Sequence, residues 1–370
     1  MRFVVFTHSL LSDWNHGNAH FLRGVATELL AAGHDVRIFE PRGGWSLQNL
    51  LRESGGSPLA GFESAYPLLR TNFYDLDTLD LDETLDGADV VIVHEWNDHE
   101  LVRVVGEHRA SHDYRLYFHD THHRSVTDPD AMAGYDLSNY DAVLAYGGVI
   151  RDLYREKGWA GAAWTWHEAA DTRIFRPFQN KEKIGDLVWV GNWGDDERTE
   201  EIREFLIAPV RALGLKARVY GVRYPAKALA ELDAAGIEYG GWIANYRVPE
   251  VFAQYHVTVH IPRRPYARSL PGIPTIRPFE AMACGIPLVS APWDDTEGLF
   301  RPGRDFLFAR NGGEMIASLR AVLSDDQCAA GLAASGLETI RSRHTCAHRA
   351  AELMDIAGRS KQNAHSVLCI

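Results

Sequence analysis

The chain has 370 residues, 46% of them hydrophobic and 24% charged, enough for two globular domains each with its own core. Its net charge is −12, from 38 basic and 50 acidic residues; that balance excludes nonspecific nucleic-acid binding and electrostatic docking on anionic lipid, both of which need clustered Lys and Arg. The four cysteines, Cys284, Cys328, Cys346 and Cys369, form no C-x-x-C pair. The apolar N-terminal stretch is interrupted at Thr7 and His8, too short for a signal-peptide core, and no run approaches the roughly 20 apolar residues of a membrane span. A cytoplasmic protein with reduced thiols is expected.

In chain order, Arg2–Thr7 reads as a buried strand, and a polar loop follows. A helix from Ala19 carries Phe21, Leu22, Val25, Leu29 and Leu30 on one face and ends at Gly33; "DVRIFE" is the next strand. This strand–loop–helix–strand unit implies a parallel sheet. Further strands are expected at Asp89–His94, Arg115–His119, Asp141–Ala145 and Ala162–Trp166. Between Pro41 and Asp86 the pattern assigns no strand. A polar linker, "RPFQNKEKI" (Arg176–Ile184), divides the chain. Beyond it the alternation restarts, with strands in "DLVWVG", "KARVYG", "IEYGGW", "HVTVHI", "PLVSA" and "DFLFA", then three helices from near Gly313, Asp325 and Thr345. The expectation is two Rossmann-like, doubly wound α/β domains facing across a cleft: residues 1–175 on the acceptor side, 185–356 on the donor side, and a tail, 357–370. Ligands should bind beyond the C-terminal ends of the strands. No Walker loop, G-x-G-x-x-G, G-x-S-x-G or H-E-x-x-H occurs.

"RPFEAMACGIPLVSAP", followed by "EGLFRPGRDFLFARNGGEMIASLRAVLSD", resembles the group 1 glycosyltransferases of the GT-B fold. Within them the chain is most similar to the spore-maturation-protein-like branch. "AADTRIFRP", "LVWVGNW", "IEYGGWI" and "RHTCAHRAAELM" extend the resemblance over roughly Asp171–Ile356. It implies transfer of a sugar from a nucleoside-diphosphate sugar, UDP above all, to a glycan, lipid, small-molecule or protein acceptor, with retention and without a metal or other cofactor. Many members carry two glutamates seven residues apart; Glu280 matches the second, but Gly272 stands where the first would be. The alternatives are a nucleotide-sugar epimerase of the same fold and an inactive nucleotide- or sugar-binding protein.

The residues support a diphosphate site in "SLPGIPTIRPFEAMACG", a Gly/Pro-rich loop opening directly into a helix. Unpaired N–H groups and the positive end of the helix dipole favour an anion there. Gly272, Thr275 and Ile276 bring the backbone close, and Arg277 adds a charge-assisted contact. Glu280, one turn in, suits ribose hydroxyls. A capped surface loop is the competing structural reading. The resemblance places Arg198 at the leaving diphosphate, with Arg263 as a further cation, and Gly241 and Trp242 beside the base; Arg264 and Arg268 complete a basic set of which at least two are solvated surface charges. The resemblance also places His119, ending "RLYFH", at the transferred sugar, with Asp120 to orient its ring. A metal cluster in "FHDTHH" competes, but its spacing matches no standard zinc pattern. His94 and Glu95 end another strand, Gly17 and Asn18 shape the acceptor side, and one of Trp164 and Trp166 belongs to the core. The pairs Asp75/Asp77 and Asp80/Asp82 read as solvated turn residues.

Overall fold

A computed structural model describes residues 1–178 and 181–367, with side chains described as far as 358. Its backbone divides into two compact units: Met1–Glu168 together with the segment from Cys346, and Ala169–Thr345. Gln179 and Asn180 of the expected linker, Cys369 and the end of the expected tail lie outside the described residues.

The first unit is built on a seven-stranded parallel sheet in the order β3-β2-β1-β4-β5-β6-β7. The strands are β1 (Arg2–Phe6), β2 (Asp35–Pro41), β3 (Thr71–Tyr74), β4 (Val90–His94), β5 (Arg115–Asp120), β6 (Ala142–Ala145) and β7 (Ala163–Thr165). β4 and β5 are buried along their whole length, which is why they read as continuous apolar runs rather than alternating ones. Chain order reverses between neighbours β1 and β4, so the crevice beyond their C-terminal ends is the natural ligand position of this sheet. The segment Pro41–Asp86 does contain a strand, β3, preceded by helices Trp45–Ser54 and Ser57–Ala65. β3 lies at the sheet edge, and three of its four residues are not buried, so it lacks the apolar run that marked the others.

The second unit repeats the plan. β8 (Gly185–Val190), β9 (Ala217–Tyr220), β10 (Ile237–Tyr239), β11 (Tyr255–His260), β12 (Leu288–Ser290) and β13 (Leu307–Phe308) form a parallel sheet in the order β10-β9-β8-β11-β12-β13. Its switch point lies between β8 and β11. Leu187, Trp189, Val219, Val257, Val259 and Val289 from these strands make one core with Ile202, Leu206, Met315 and Leu319 from the covering helices. The expectation of two doubly wound Rossmann-like sheets holds.

The C-terminal segment departs from the sequence reading. Residues 346–356 were expected in the second domain, but helix Cys346–Val367 packs on helix Ala19–Ala31 of the first unit. Cys346 Sγ donates to the Phe21 carbonyl at 3.9 Å, Arg349 Nε donates to the His167 carbonyl at 2.9 Å, and Trp166 Nε1 donates to the Arg349 carbonyl at 2.9 Å. Amphipathic spacing predicted this helix; it carries no information about which unit the helix covers. Trp166 is accordingly the core tryptophan of its pair. Cys284, Cys328 and Cys346 form no disulfide, and among the described residues no helix is long and apolar enough to cross a membrane.

Candidate functional site

In the second unit the C-terminal ends of β8 and β11 are tied together by Arg198. Its guanidinium donates to the Asn192 carbonyl at 2.5 Å and to the Ile261 carbonyl at 2.8 Å, one from each loop, and lies over the Trp189 ring at 5.0 Å. Burial, followed by the like charge of Arg263, pushes Arg198 down to about 9, and Arg277 adds to the depression. The three cations therefore crowd one position, and an anion bound there would relieve their repulsion. Arg263 holds Glu197 at 2.9 Å. Arg264 and Arg268 both face Glu201, at 3.1 and 4.0 Å, the surface pairing expected of part of the basic set.

The loop into helix Ile276–Cys284 is strained. Thr275 has φ 61° and ψ 179° and makes no side-chain cap, a region populated almost only by glycine. Gly272 has φ 91°, and its N–H donates to the Asp294 carbonyl at 2.6 Å. The helix start therefore leaves its N–H groups without a cap from Thr275, as an anion site requires. Ile276 is buried, anchoring the first turn.

Glu280 is fully buried. Oε1 accepts from Asn245 Nδ2 at 2.8 Å, and Oε2 pairs with Arg277 Nη1. Arg277 and Glu280 thus form one unit, where the sequence assigned them separate contacts to phosphate and ribose. Gly241 (φ 69°) accepts at its carbonyl from the Gly221 N–H at 2.9 Å. Gly221 lies so close to Gly191 that a Cβ would fall 2.2 Å from the Gly191 oxygen, so the loops after β8, β9 and β10 stack backbone on backbone. Beside them the indole N–H of Trp242 is buried without a hydrogen-bond partner among the described residues.

Two residues here escaped the sequence reading. His260 ends β11; its Nδ1 lies 2.9 Å from Ser290 Oγ, and burial, reinforced by Arg198 and Arg277, holds it neutral with a value of about 3. Its position at the end of "HVTVH" was the available signal. Glu297 had none: its carboxylate Oε1 lies 2.9 Å from where a Cβ on Gly272 would be. A carboxylate therefore occupies the space that a side chain at 272 would enter.

In the first unit the switch point is filled with imidazoles. Ring centroids run His16–His8 at 3.9 Å, His8–His94 at 5.5 Å and His94–His119 at 5.2 Å. Burial keeps all four neutral, His8 at about 4, His119 at about 3, and His16 and His94 well below the usual value. His119 packs against Trp166 at 4.9 Å and Phe21 at 5.8 Å, and its Nε2 has no hydrogen-bond partner among the described residues. His8 and His16 were missed because the loop after β1 has no periodicity to place them.

Asp120 does not orient His119. Its Oδ1 accepts from the His122 N–H at 3.1 Å, and it faces Glu95, whose carboxyl is raised well above its usual range by burial and then by Asp120. The alternation of β5 explains this: consecutive residues point to opposite faces. Asn18 does reach the same loop, donating to the Thr121 carbonyl at 3.0 Å. Among the described residues the grouping with metal-ligand spacing is Asp82, His108 and His112, not "FHDTHH"; there His122 packs on Trp96 at 5.0 Å, and His123 Nδ1 lies 3.0 Å from Thr127 Oγ1.

Residues 198–355 match the model of a family described as glycosyl transferase-like. No curated protein matches the chain in sequence. Among solved structures, HepE of Anabaena, in complex with UDP and glucose, superposes with a TM-score of 0.70 at 12% identity, covering 97% of this chain and 99% of that one. A sucrose-phosphate synthase from Thermosynechococcus elongatus gives 0.65 at 12% identity, covering 97% and 98%. The β-glucosyltransferase of phage T4, in complex with UDP and Mn²⁺, gives 0.62 at 13% identity, covering 97% and 99%. The chain therefore has the fold of the GT-B glycosyltransferases.

Proposed function

We propose that this protein is a glycosyltransferase that takes a sugar from a nucleoside-diphosphate sugar, UDP being the favoured nucleotide, and transfers it with retention. The observation that carries the reading is the strained, uncapped entry to helix Ile276–Cys284 together with the mutually repelling Arg198, Arg263 and Arg277. Backbone N–H groups and a local excess of positive charge are what a diphosphate needs. The match to a glycosyl transferase-like model over this region, and the UDP held by two structural neighbours, support it.

In this reading the arginines stabilise the departing nucleoside diphosphate without a metal. Arg198 acts through charge and by fixing the two loops, since two of its donors are committed to carbonyls. Glu280, backed by Arg277 and Asn245, accepts from the ribose, and Trp242 lies at the base beside Gly241. Glu297 supplies the carboxylate that Gly272 cannot. His119, neutral and with a free Nε2, meets the transferred sugar.

The test is calorimetric titration with UDP, GDP and ADP in EDTA, followed by slow hydrolysis of the matching nucleotide sugars. Tight binding of one diphosphate and release of its sugar are expected. Activity that disappears in EDTA and returns with Mn²⁺ would refute metal independence. An isomerised nucleotide sugar would indicate an epimerase.

A further inference from the structure

A depression of about 860 Å³ in the first unit is walled by Trp96, whose ring lies 6.3 Å from that of His8, and belongs to none of the assignments above. Its volume suits a small ligand. Trp96, 43% exposed, forms one wall. An indole left in water contributes little to folding, yet this one is held firmly in place. The Tyr135 hydroxyl reaches the carbonyls on either side of it, those of Glu95 and of Asn97, the latter at 3.2 Å. Asn97, itself buried, donates to the Phe6 carbonyl at 3.0 Å and the His94 carbonyl at 2.7 Å, and accepts from the Tyr74 hydroxyl at 3.3 Å. The Arg124 guanidinium lies over one face of the Trp96 ring at 4.9 Å and holds it there. Such a platform is preorganised to receive a flat apolar face.

The rim decides what that face belongs to. Four exposed aspartates, Asp75, Asp77, Asp98 and Asp128, line the depression against two arginines, Arg42 and Arg124. Asp75 pairs with Arg42 at 2.9 Å. Asp98 accepts from the Glu100 N–H at 2.8 Å and Asp128 from the Ala131 N–H at 3.4 Å, each on one oxygen, leaving acceptor capacity for hydroxyl groups. The net negative rim disfavours an anionic ligand. A ring with one apolar face and several hydroxyl donors satisfies both the indole and the carboxylates.

We infer that this depression binds a neutral pyranoside, and so that the acceptor class is carbohydrate without acidic groups. The inference rests on the transferase reading only in calling this ligand the acceptor.

The experiment is saturation-transfer NMR and titration on the full chain. The probes are methyl β-pyranosides of glucose, galactose and mannose, methyl β-glucuronide, and phenol, with UDP titrated in parallel. At least one neutral glycoside should bind, more tightly than the glucuronide. Trp96→Ala should weaken it at least tenfold, and Trp96→Phe should retain most of the affinity. No neutral glycoside bound, glucuronide bound as well as glucoside, phenol bound in their place, or Trp96→Ala without effect each overturns the inference. UDP bound while no glycoside binds sinks this inference alone; glycoside bound without any nucleotide sinks the transferase reading instead.

Discussion

Replacing Thr275 by glycine should stabilise the protein. At φ 61° and ψ 179°, a β-branched residue carries strain of about 1–3 kcal/mol that glycine does not. Glycine costs about 0.5–1 kcal/mol of extra chain entropy, so the net gain is roughly 0–2.5 kcal/mol. For a unit of this size, at about 2–4 °C per kcal/mol, the melting temperature should rise by up to roughly 10 °C. Thr275→Ala is the control: it keeps the Cβ, and with it the strain, so it should not gain. The strain has a use if the loop receives a diphosphate, because it holds N–H groups in place before the ligand arrives. Freed by glycine, the loop should bind UDP less well, by about fivefold for each 1 kcal/mol of lost preorganisation. Calorimetric melts of the three proteins and their UDP titrations decide the matter. A glycine variant that melts lower, or an alanine variant that gains as much, would refute the strain argument. A stabilised glycine variant with unchanged affinity would separate the strain from any ligand.

His119→Ala should lower turnover by roughly 10- to 150-fold, the value of one lost hydrogen bond of about 1.5–3 kcal/mol in the transition state, with UDP affinity kept; full activity of the folded fraction would make His119 a packing residue. Glu280→Gln should lower both stability and UDP affinity, because Asn245 and Arg277 each donate to a carboxylate oxygen and an amide leaves one donor facing an NH₂, at about 1–3 kcal/mol. Unchanged UDP affinity measured well below the melting point would remove Glu280 from the nucleotide site. Acid should destabilise the first unit: unfolded His8 takes up its proton below about 6.5, whereas folded His8 stays neutral to about 4. Its contribution is whole above pH 6.5 and is lost as pH falls through that window, with His16, His94 and His119 adding to the loss. Glu40 and Glu95, raised in the fold, act oppositely and offset part of it. Thermal melts between pH 7.5 and 4.5 test this; a flat profile would contradict it.

The strands and helices were legible wherever burial was two-sided. β4, β5, β8 and β11 announced themselves as apolar runs, and Gly33 and Gly285 marked helix ends. The edge strand β3 did not, because half its residues face water. The sequence located the phosphate loop through its glycines and prolines, but the two oxygens of Glu280 were invisible to it. Which groups fill a buried carboxylate depends on Asn245, 35 residues away in the chain. The relation between Asp120 and His119 failed for a simpler reason: neighbours on a strand point apart. Glu297 stood outside every motif, and only the fold brings it to Gly272.

The two switch points share a topology and differ in chemistry, which argues for a division of labour. In the second unit, guanidinium groups crowd the ends of β8 and β11, and Arg198 is depressed by burial first and then by the like charges of Arg263 and Arg277. Such an arrangement is costly when empty and favourable with a polyanion bound. In the first unit, the ends of β1, β4 and β5 hold imidazoles kept neutral by burial, edged by carboxylates and a clamped indole. That arrangement offers an anion nothing, and it suits a ligand that brings hydroxyls and an apolar face. A protein that only bound nucleotide would have no need of the second set. The unpartnered ring nitrogens at the first switch point are therefore where the proposed transferase and a nucleotide binder predict different outcomes, and His119→Ala is the variant in which that difference can be measured.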